Sequence, residues 1–444
     1  MKRKEVIAIF DIGKSNKKLV LFDAAYEVVW EKSVTLDETT DDDGDACESI
    51  LELEKFIFGT LQQLLNEGQF DIKALNISAY GASLVCIDDY GLPAAPLYNY
   101  LKSYPPSLQN RFYRNYGGET EFSLRTASPV LGSLNSGLQL YRMKYLKERL
   151  FGKTVAVLHL PQYLSFIISG KPYTEITSLG CHTGLWDFNT DSYHEWVIEE
   201  GLADKFHLLA PSDTVNEVNW QGHALQVGIG LHDSSAALIP YLMQFTEPFV
   251  LLSTGTWNIS LNPFNNLTLT EEELKQDCLC YLNFRGQPVK ASRLFAGHWL
   301  AGMVKKLIQH YKITSEEVQS LDYDPRWLKE PVREPVSLTQ TDFPFQEYAH
   351  WQEAYHQLLQ RLVHCQYAST QLVLREAPVK NIYVDGGFSR NKVFMQLMAR
   401  AFPGHNVYAA RVAQASALGA ALVMHAAWNP GPLPHELIQL DPIT

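Results

Sequence analysis

The sequence of 444 residues lacks the marks of a membrane, secreted or disulfide-stabilised protein. It has only six cysteines, and none forms a Cys-x-x-Cys pair, which argues against a disulfide framework and favours reduced thiols. No apolar run approaches the ~20 residues of a membrane span, and the run at residues 6–10 is shorter than the ~7–15 residues of a signal sequence. We therefore expect a cytoplasmic protein that is neither exported nor bound to a membrane.

Positive charge, and charge in general, is also scarce. The net charge is −12, and charged residues make up 19% of the chain. Proteins that bind nucleic acid usually carry a basic patch, so we expect no nucleic-acid partner. Few charges combined with 46% apolar residues are typical of packed globular domains rather than of disorder. At ~100–200 residues per domain, the length predicts at least two cores.

One arrangement occurs twice along the chain: an apolar strand, a turn that contains glycine, and a returning strand. The two copies are residues 6–22 and residues 249–261. A third strand, residues 381–385, leads into a glycine pair and then a helix. An unselected chain would seldom repeat this arrangement. The repetition predicts two related α/β halves, which we place at residues 1–243 and 244–444.

Hydrophobic periodicity and turn residues predict the other elements of the chain. We expect a solvated acidic loop at residues 37–45, strands at residues 75–79, 84–87 and 154–158, and an irregular segment at residues 98–116. The predicted helices are residues 51–65, ending near Gly68, and residues 138–150, 161–168, 351–374 and 413–427.

The first turn has the residue types that a phosphate group requires. Phosphoryl transfer needs hydrogen-bond donors around the phosphates, a cation and a base. Glycine lets the backbone approach a phosphate closely, hydroxyl and amide side chains donate hydrogen bonds, and lysines supply positive charge. These residues are Gly13, Lys14, Ser15, Asn16, Lys17 and Lys18, and Asp11 is a candidate ligand of Mg²⁺. The alternative is an ordinary hairpin turn with exposed lysines.

The second and third turns extend this interpretation to the nucleotide. Gly255 and Thr256 offer backbone amides and a hydroxyl, so two turns could hold a triphosphate from opposite sides of a cleft. Gly386 and Gly387 precede a helix that starts near Asn391. Together with the small-residue helix at residues 415–421 they could shape a slot for adenine, or the glycine pair marks only a tight turn.

An aspartate follows two glycines near the middle of the chain. In the segment 228–237, Gly228 and Gly230 lead to His232 and Asp233, and small residues then begin a helix. Asp233 could accept a proton as an alcohol attacks phosphorus, or it could be only the N-cap of that helix. His232 either orients a substrate or is a plain loop histidine.

Taken together, these segments resemble the FGGY carbohydrate kinases, which belong to the superfamily of actin, hexokinase and Hsp70. The residues that carry the resemblance are Asp11 to Lys18, Ser253 to Trp257, Asp385 to Asn391 with residues 415–421, and Gly230 to Ala237. Ser-Thr-Gly-Thr-Trp and Leu-His-Asp-Ser are most similar to the rhamnulokinase and fuculokinase branch. The resemblance implies two actin-like (ribonuclease H-like) ATPase domains with a cleft between them.

The resemblance also implies a role for each site residue. Asp233 would be the catalytic base, Gly81, His232 and Ser234 would contact the sugar, and Asp11 and Asp233 would hold Mg²⁺. ATP would be bound by Asp11, Gly13, Lys14, Ser15, Asn16, Lys18, Gly255, Thr256, Gly386, Gly387 and Asn391. Several positions depart from the family: Lys14 replaces a small or hydroxylic residue, Leu294 and Gly302 replace an Asn and a Gln of the rhamnulokinases, and residues 98–100 and 413–417 also differ.

The function implied is transfer of the γ-phosphate of ATP to a hydroxyl of a small sugar, a ketose such as L-rhamnulose or L-fuculose. Because the sugar-binding positions differ from those of the rhamnulokinases, the sugar itself stays open. The alternative is a non-catalytic ATP-binding switch or scaffold of the same fold, because a fold does not fix a function. The expected partner is a small-molecule sugar, and a homodimer is one option for the assembly.

Overall fold

A computed structural model describes residues 3–328, 338, 343–412 and 414–443 of the chain. Two seven-stranded sheets organise these residues. All strands of the first sheet lie before residue 244, and all strands of the second lie after it. Each sheet has its own apolar clusters, with helices packed on its faces.

The first sheet contains the predicted N-terminal hairpin. Strand Lys4–Ile12 pairs antiparallel with Lys17–Asp23 on one side and parallel with Phe70–Ala79 on the other. Its strands follow one another in the order Val215–Trp220, His223–Gly228, Phe70–Ala79, Lys4–Ile12, Lys17–Asp23 and Val28–Val34, with Leu231–His232 also paired to Phe70–Ala79. The hairpin therefore ends at the carboxyl edge of its parallel neighbour.

The second sheet repeats this plan. Strand Phe249–Thr254 pairs antiparallel with Asn258–Asn262 and parallel with Asn381–Gly386. The order is Cys278–Leu282, Pro288–Leu294, Asn258–Asn262, Phe249–Thr254, Asn381–Gly386, Asn406–Arg411 and Gln439–Pro442. The prediction of two related α/β halves is confirmed by this repeated order of a hairpin, two parallel strands and an antiparallel edge strand.

Helices and four small sheets complete the described part of the chain. The two-stranded sheets are Glu38–Thr40 with Ala46–Glu48, Leu84–Ile87 with Ala156–His159, Thr174–Glu175 with Leu209–Ala210, and Trp186–Asp187 with Ser192–Tyr193. The α-helices are Ile50–Glu67, Pro106–Asn115, Gly118–Thr126, Ser136–Leu146, Glu148–Lys153, Leu160–Ser169, Ile176–Leu179, Glu195–Glu199, Asp233–Gln244, Glu271–Lys275, Ala296–Tyr311, Ser315–Gln319, Trp351–Leu374, Lys392–Ala401, Ala415–Leu422 and His425–Trp428.

Local signals explain the helix ends that the sequence predicted correctly. The first helix begins after Ser49, whose side chain accepts a hydrogen bond from the backbone of Glu52, and it ends at Gly68, whose φ is 61°. A left-handed residue at this place favours glycine. Gly170 ends helix Leu160–Ser169 in the same way, with a φ of 69°. The helix Trp351–Leu374 has the predicted bounds.

Four predictions about the elements were wrong, each for a reason visible in the structure. The segment 98–116 contains helix Pro106–Asn115, because Phe112 and Tyr113 pack into an aromatic cluster. The predicted helix 138–150 is interrupted at Lys147. The loop 37–45 is not fully solvated, because Asp41 is buried and pairs with Lys102. The helix predicted at residues 413–427 is two helices, and Ala413 lies outside the described residues.

Two helices cross where the halves of the molecule meet. We call Asp233–Gln244 the linker helix, because it connects the first sheet to the second, and Ala415–Leu422 the returning helix. The returning helix lies along the chain between strands Asn406–Arg411 and Gln439–Pro442 of the second sheet, but it packs back onto strands Lys4–Ile12 and Phe70–Ala79 of the first. A Cβ at Gly419 would lie 1.8 Å from the carbonyl oxygen of Ala236, so the small residues allow the two backbones to touch.

Candidate active site

A cavity of about 320 Å³ lies between the two halves of the molecule, and most of the predicted site residues reach it. Residues from the first hairpin turn, from the start of the linker helix and from the second turn contribute to its walls. The lining residues are Lys14, Ser15, Tyr80, Gly81, Ala82, Tyr100, Leu134, His182, His232, Asp233, Ser234, Ser253, Thr254, Gly255, Thr256, Trp257, Ile259, Tyr281 and Arg293.

Asp233 is the first residue of the linker helix, and it faces this cavity. The N-cap is His232 rather than Asp233. The Asp233 carboxylate accepts hydrogen bonds from the Ser234 backbone N–H at 2.6 Å and from the Ser234 hydroxyl at 3.2 Å. Removal from water raises the pKa of Asp233 to about 6, and the bonds from Ser234 partly oppose this rise. The carboxylate is thus ionised at neutral pH, yet basic enough to accept a proton.

The wall beside Asp233 consists of His232 and Gly81. The His232 Nε2 atom is 3.3 Å from Asp233 Oδ1 and 3.2 Å from Cys181 Sγ. Burial lowers the pKa of His232 to about 3, so the imidazole is neutral. A Cβ at Gly81 would lie 3.0 Å from the His232 ring and 3.2 Å from Cys181 Sγ, which explains why a glycine stands there.

Asp11 lies near the end of strand Lys4–Ile12, where the charge of Asp233 acts on it. The Ser416 hydroxyl is 3.0 Å from both Asp11 carboxylate oxygens and donates its hydrogen bond to them. Burial and the negative charge of Asp233 raise the pKa of Asp11 to about 6. Two buried carboxylates whose charges repel each other fit a divalent cation such as Mg²⁺, because a cation would relieve both their repulsion and their lost hydration.

The three lysines of the first turn have different surroundings. Lys14 lines the cavity and pairs with Glu38 at 3.2 Å, while Lys18 donates to Gln414 Oε1 at 2.8 Å. Lys17 is buried, forms an ion pair with Glu48 and donates to the Lys14 carbonyl at 2.9 Å. The expectation that Lys17 supplies charge to a phosphate was therefore wrong, because the fold uses that charge internally.

The backbone of the first turn is closed by one hydrogen bond. The Gly13 N–H donates to the Asn16 carbonyl at 3.0 Å, and a Cβ at Gly13 would lie 3.1 Å from the same oxygen. Ser15 reaches the cavity, whereas the Asn16 side chain accepts a hydrogen bond from Thr35 at 3.5 Å. The turn is therefore tight enough to require a small residue at position 13.

The backbone of the second turn packs against helix Ala296–Tyr311. The Gly255 N–H donates to the Trp257 carbonyl at 2.9 Å, and the His298 N–H donates to the Thr256 carbonyl at 3.2 Å. Gly297 lets helix Ala296–Tyr311 come this near, since a Cβ there would lie 1.8 Å from the Gly255 carbonyl oxygen. Gly255 and Thr256 line the cavity from the side of the second half.

The third turn is tied to the second through Thr254. The Thr254 hydroxyl donates to the Asp385 carbonyl and accepts a hydrogen bond from the Phe388 N–H at 3.0 Å. Gly386 has a φ of 83°, and a Cβ there would lie 2.0 Å from the Thr254 carbonyl oxygen. Glycine is required at this position for its conformation, whatever else it contacts.

Other predicted nucleotide residues prove to have structural partners. Asn391 caps helix Lys392–Ala401 by accepting from the Phe394 N–H at 3.0 Å, and its amide donates to the Tyr355 hydroxyl at 2.8 Å. Gly387, which belongs to the third turn, is exposed to solvent. The small residues of the returning helix pack against the linker helix, which explains their size, and the adenine slot beside this helix stays a prediction.

Several residues near the site carry no local sequence signal. Arg293, His182 and Tyr281 line the cavity, although each lies in an element with no recognisable motif. Asp385 is buried near the third turn, and burial raises its pKa to about 6. Only the strand register joins Arg293 to the second hairpin, where it lies opposite Ile259. The two departures noted in the sequence, Leu294 and Gly302, do not line this cavity.

Comparisons with known proteins find similar carbohydrate kinases. Residues 246–432 match the family model described as Carbohydrate kinase FGGY, C-terminal domain. A rhamnulokinase of Bacillus subtilis is 23% identical over 314 residues, which is 63% of this chain and 62% of that protein. A rhamnulokinase of Ligilactobacillus salivarius is 27% identical over 187 residues, or 38% of this chain and 36% of that protein. The matched segments thus span less than two thirds of each relative.

Solved structures extend the likeness to the whole chain. A carbohydrate kinase from Novosphingobium aromaticivorans has a TM-score of 0.79 at 21% identity, covering 100% of this chain and 94% of that one. A ligand-bound xylulose kinase from Lactobacillus acidophilus has a TM-score of 0.77 at 15% identity, covering 98% and 93%. These similarities show the predicted fold of two actin-like domains with a cleft between them. No helix among the described residues is long and apolar enough to cross a membrane. The chain thus has the fold of these sugar kinases, and its residues 246–432 match the C-terminal domain of the FGGY carbohydrate kinases.

Proposed function

We propose that this protein is an ATP-dependent carbohydrate kinase, with residues 1–243 binding the sugar and the phosphates and residues 244–444 binding the nucleotide. The observation that supports this proposal best is the position of Asp233, a carboxylate with a pKa of about 6 in a cavity lined by two glycine-containing turns. A phosphoryl group held at both turns would lie within the same cavity as a sugar bound against Gly81, His232 and Ser234.

In the proposed reaction, a hydroxyl oxygen of the sugar attacks the γ-phosphorus of ATP. The new O–P bond forms as the bond from the γ-phosphorus to the β,γ-bridging oxygen breaks, and ADP leaves with the electron pair. Asp233 accepts the hydroxyl proton, and Ser234 holds the carboxylate through its two hydrogen bonds. Neutral His232 at 3.3 Å helps to keep Asp233 in place without competing for the proton.

The chain's own residues divide the remaining tasks. We propose that Gly13, Lys14, Ser15, Asn16, Lys18, Gly255, Thr256, Gly386, Gly387 and Asn391 bind ATP, and that Asp11 and Asp233 hold Mg²⁺. A bound Mg²⁺ would neutralise part of the phosphate charge. Ser416 orients the Asp11 carboxylate for this task, because its hydroxyl lies 3.0 Å from both oxygens.

The acceptor and the cellular setting are part of the proposal. The rhamnulokinase relatives make ketoses such as L-rhamnulose and L-fuculose the first sugars to test. Use of ATP and six cysteines without a disulfide suit a cytoplasmic location. Small molecules are the only proposed ligands, with no nucleic acid or membrane, and a homodimer is one assembly to test. A non-catalytic ATP-binding switch of the same fold is the competing function, and it has no use for a basic carboxylate beside the phosphate turns.

The test is a coupled ADP-release assay across ketoses, deoxyketoses and polyols, with wild type, Asp233→Asn and the control Asp204→Asn. Asp204 is an exposed aspartate outside the cavity. Loss of a general base costs ~10²–10⁴-fold in rate. We therefore expect Asp233→Asn to lose turnover by that factor while calorimetry still detects ATP binding, and Asp204→Asn to match wild type. Turnover near the wild-type rate in Asp233→Asn would remove Asp233 from the mechanism, and ATP binding without turnover on any acceptor would favour the switch.

A further inference from the structure

A buried arginine forms one wall of the cavity. Arg293 is near the end of strand Pro288–Leu294, and its side chain is only 4% exposed. The guanidinium lies over the Trp257 ring, with its carbon 5.3 Å from the ring centroid. Its Nη2 and Nε atoms donate to one oxygen of Asp277 at 2.7 Å and 3.3 Å. The ring and the aspartate together fix the plane in which this charge is presented.

Part of the guanidinium has no partner among the described residues. Arginine has five N–H donors, and the two bonds to Asp277 leave Nη1 without an acceptor among the described residues. Lys290 of the same strand differs, because it pairs at 2.7 Å with Glu273, a carboxylate that is itself buried. The side chain of Asp277 is 33% exposed, so water shares its charge. Arg293 therefore keeps donors and positive charge for the cavity that it lines.

The charge of Arg293 acts on one end of the cavity. It contributes to lowering the pKa of His182 and opposes the rise in the pKa of Cys181. The shifts in the pKa values of Asp233 and Asp11 come mainly from burial. Arg293 thus belongs to the part of the cavity wall that contains Trp257, Tyr281 and His182.

His182 adds a hydrogen-bond acceptor beside this charge. Its Nδ1 atom is 3.1 Å from the Leu134 carbonyl, which can only accept, so Nδ1 carries the proton. Burial lowers the pKa of His182 well below its usual value and keeps the ring neutral. The bare Nε2 atom can then accept a hydrogen bond from a sugar hydroxyl. This end of the cavity offers a cationic donor edge next to a neutral acceptor.

From this arrangement we infer that the acceptor is a sugar acid, an aldonate or keto-aldonate whose carboxylate binds Arg293 while its far hydroxyl reaches Asp233. The inference rests on the proposed kinase function and refines its substrate class. A planar guanidinium edge matches the two oxygens of a carboxylate. L-Rhamnulose and L-fuculose end in a methyl group, which would leave the buried donors of Arg293 unpaired, at a cost in binding. His182 would accept from a hydroxyl near the carboxylate.

The experiment compares acids with their neutral counterparts. D- and L-aldonates and 2-keto-aldonates are assayed for ADP release beside the alditols and ketoses of the same configuration, together with L-rhamnulose and L-fuculose. The variants are Arg293→Met, which removes the charge at similar length, and Arg293→Lys, which keeps the charge but loses the planar edge. Arg285→Met is the matched control, because Arg285 is an exposed arginine of the same hairpin and lies outside the cavity. Thermal unfolding establishes that each variant is folded.

The inference predicts that at least one acid has a higher kcat/KM than its neutral counterpart. Because hydrogen bonds to charged groups are strong, we expect Arg293→Met to lower kcat/KM for this acid by about 10- to 100-fold. The value for Arg293→Lys should lie between those of Arg293→Met and wild type. Neutral sugars should not lose kcat/KM in Arg293→Met, because they offer no carboxylate to the guanidinium and its loss removes unpaired donors. Arg285→Met should match wild type. The inference is overturned if neutral sugars are preferred, or if Arg293→Met lowers turnover of all acceptors equally, which would assign Arg293 to the phosphoryl group. Absence of ADP release with every sugar would instead overturn the kinase function, and this inference with it.

Discussion

Asp233 combines two properties whose pH dependences oppose each other. A base with a pKa of about 6 is increasingly protonated as the pH falls below that value, so it can no longer accept the sugar proton. The contribution of Asp233 to the free energy of unfolding changes with pH in the opposite direction. The folded state holds this proton up to about pH 6, the unfolded chain only up to about pH 4, so the folded state binds more protons between these values. Lowering the pH in this range therefore stabilises the fold as far as this group is concerned.

We predict that kcat/KM decreases about tenfold per pH unit below about pH 6, while the wild type gains stability relative to Asp233→Asn between pH 7 and pH 5. The gain is on the order of 1 kcal/mol, because one unit of pKa corresponds to about 1.4 kcal/mol. Rate profiles and denaturant unfolding of both proteins at pH 5, 6 and 7 measure the two effects. A stability difference that does not change with pH would contradict the raised pKa.

Gly255 is a position where a larger side chain should disturb a bound nucleotide but not the fold. A Cβ at this position would meet only the Trp257 carbonyl, at 3.8 Å, and the backbone there does not require glycine. We predict that Gly255→Ala folds normally but loses ATP affinity by about tenfold or more, because the added methyl group crowds a phosphate. Gly255→Val should lose more.

Calorimetric titration with ATP and thermal unfolding measure these effects, and Gly152→Ala is the control. Gly152 is exposed, lies in a helix far along the chain from the turns, and has open space around its Cβ position. Unchanged ATP affinity in Gly255→Val would show that the second turn does not contact the nucleotide.

At the scale of elements, the crossing of the linker and returning helices requires glycine at position 419, because no side chain larger than a hydrogen atom fits there. Gly419→Ala would place its methyl carbon only 1.8 Å from the Ala236 carbonyl oxygen. We predict destabilisation by about 1–3 kcal/mol or more, since overpacking of this kind forces backbone movement. Gly59→Ala is the opposite case, because Gly59 is exposed in helix Ile50–Glu67 with no atom within 4 Å of its Cβ position. It should stabilise the protein by about 0.5–1 kcal/mol. Similar melting curves for the two variants would contradict this account of the crossing.

The elements also show how far the sequence could lead. Both hairpins, helix Trp351–Leu374 and the ends at Gly68 and Gly170 were predictable, because period, turn residues and glycine caps are local signals. Helix Pro106–Asn115 was missed, because its stability comes from aromatic packing with segments distant in sequence. The crossing of the helices was missed for the same reason: a small residue fits either a ligand or a neighbouring backbone, and only the tertiary structure shows which.

The residues of the candidate site likewise fall into those that local sequence patterns predict and those that only the tertiary structure reveals. Asp11, Asp233 and Gly255 were marked by the turns and the helix start around them, and the structure brings the segments that contain them together. Arg293 and His182 were not marked, because only strand register and the packing of the two halves carry them to the cavity. Lys17 was misjudged, because its partner Glu48 lies 31 residues away along the chain and no local pattern announces the pair.

At the scale of the whole molecule, the proposed ligands would bind between the two halves. Phosphates at residues 11–18 and residues 253–256 would connect two separately packed sheets, and closure would exclude water that competes with the sugar for the phosphoryl group. We predict that the sugar together with a non-hydrolysable ATP analogue lowers the radius of gyration in small-angle scattering. Asp233→Asn should compact equally, since it retains binding. An unchanged profile with both ligands bound, as shown by calorimetry, would mean that the cleft is preformed.

The returning helix has a consequence for the way the protein is made. Ala417, Leu418, Ala420 and Leu422 complete an apolar cluster with Ile7, Ile9, Val20 and Phe22, which are among the first residues of the chain. The ribosome synthesises this helix only after some 400 residues, so until then this face of the first sheet is at most partly covered, by linker-helix residues such as Ala236 and Ile239. During that time the nascent chain presents an apolar surface of the kind that chaperones recognise. The last step of folding for the N-terminal half therefore awaits the near-complete C-terminal half, and the two mature together rather than in sequence.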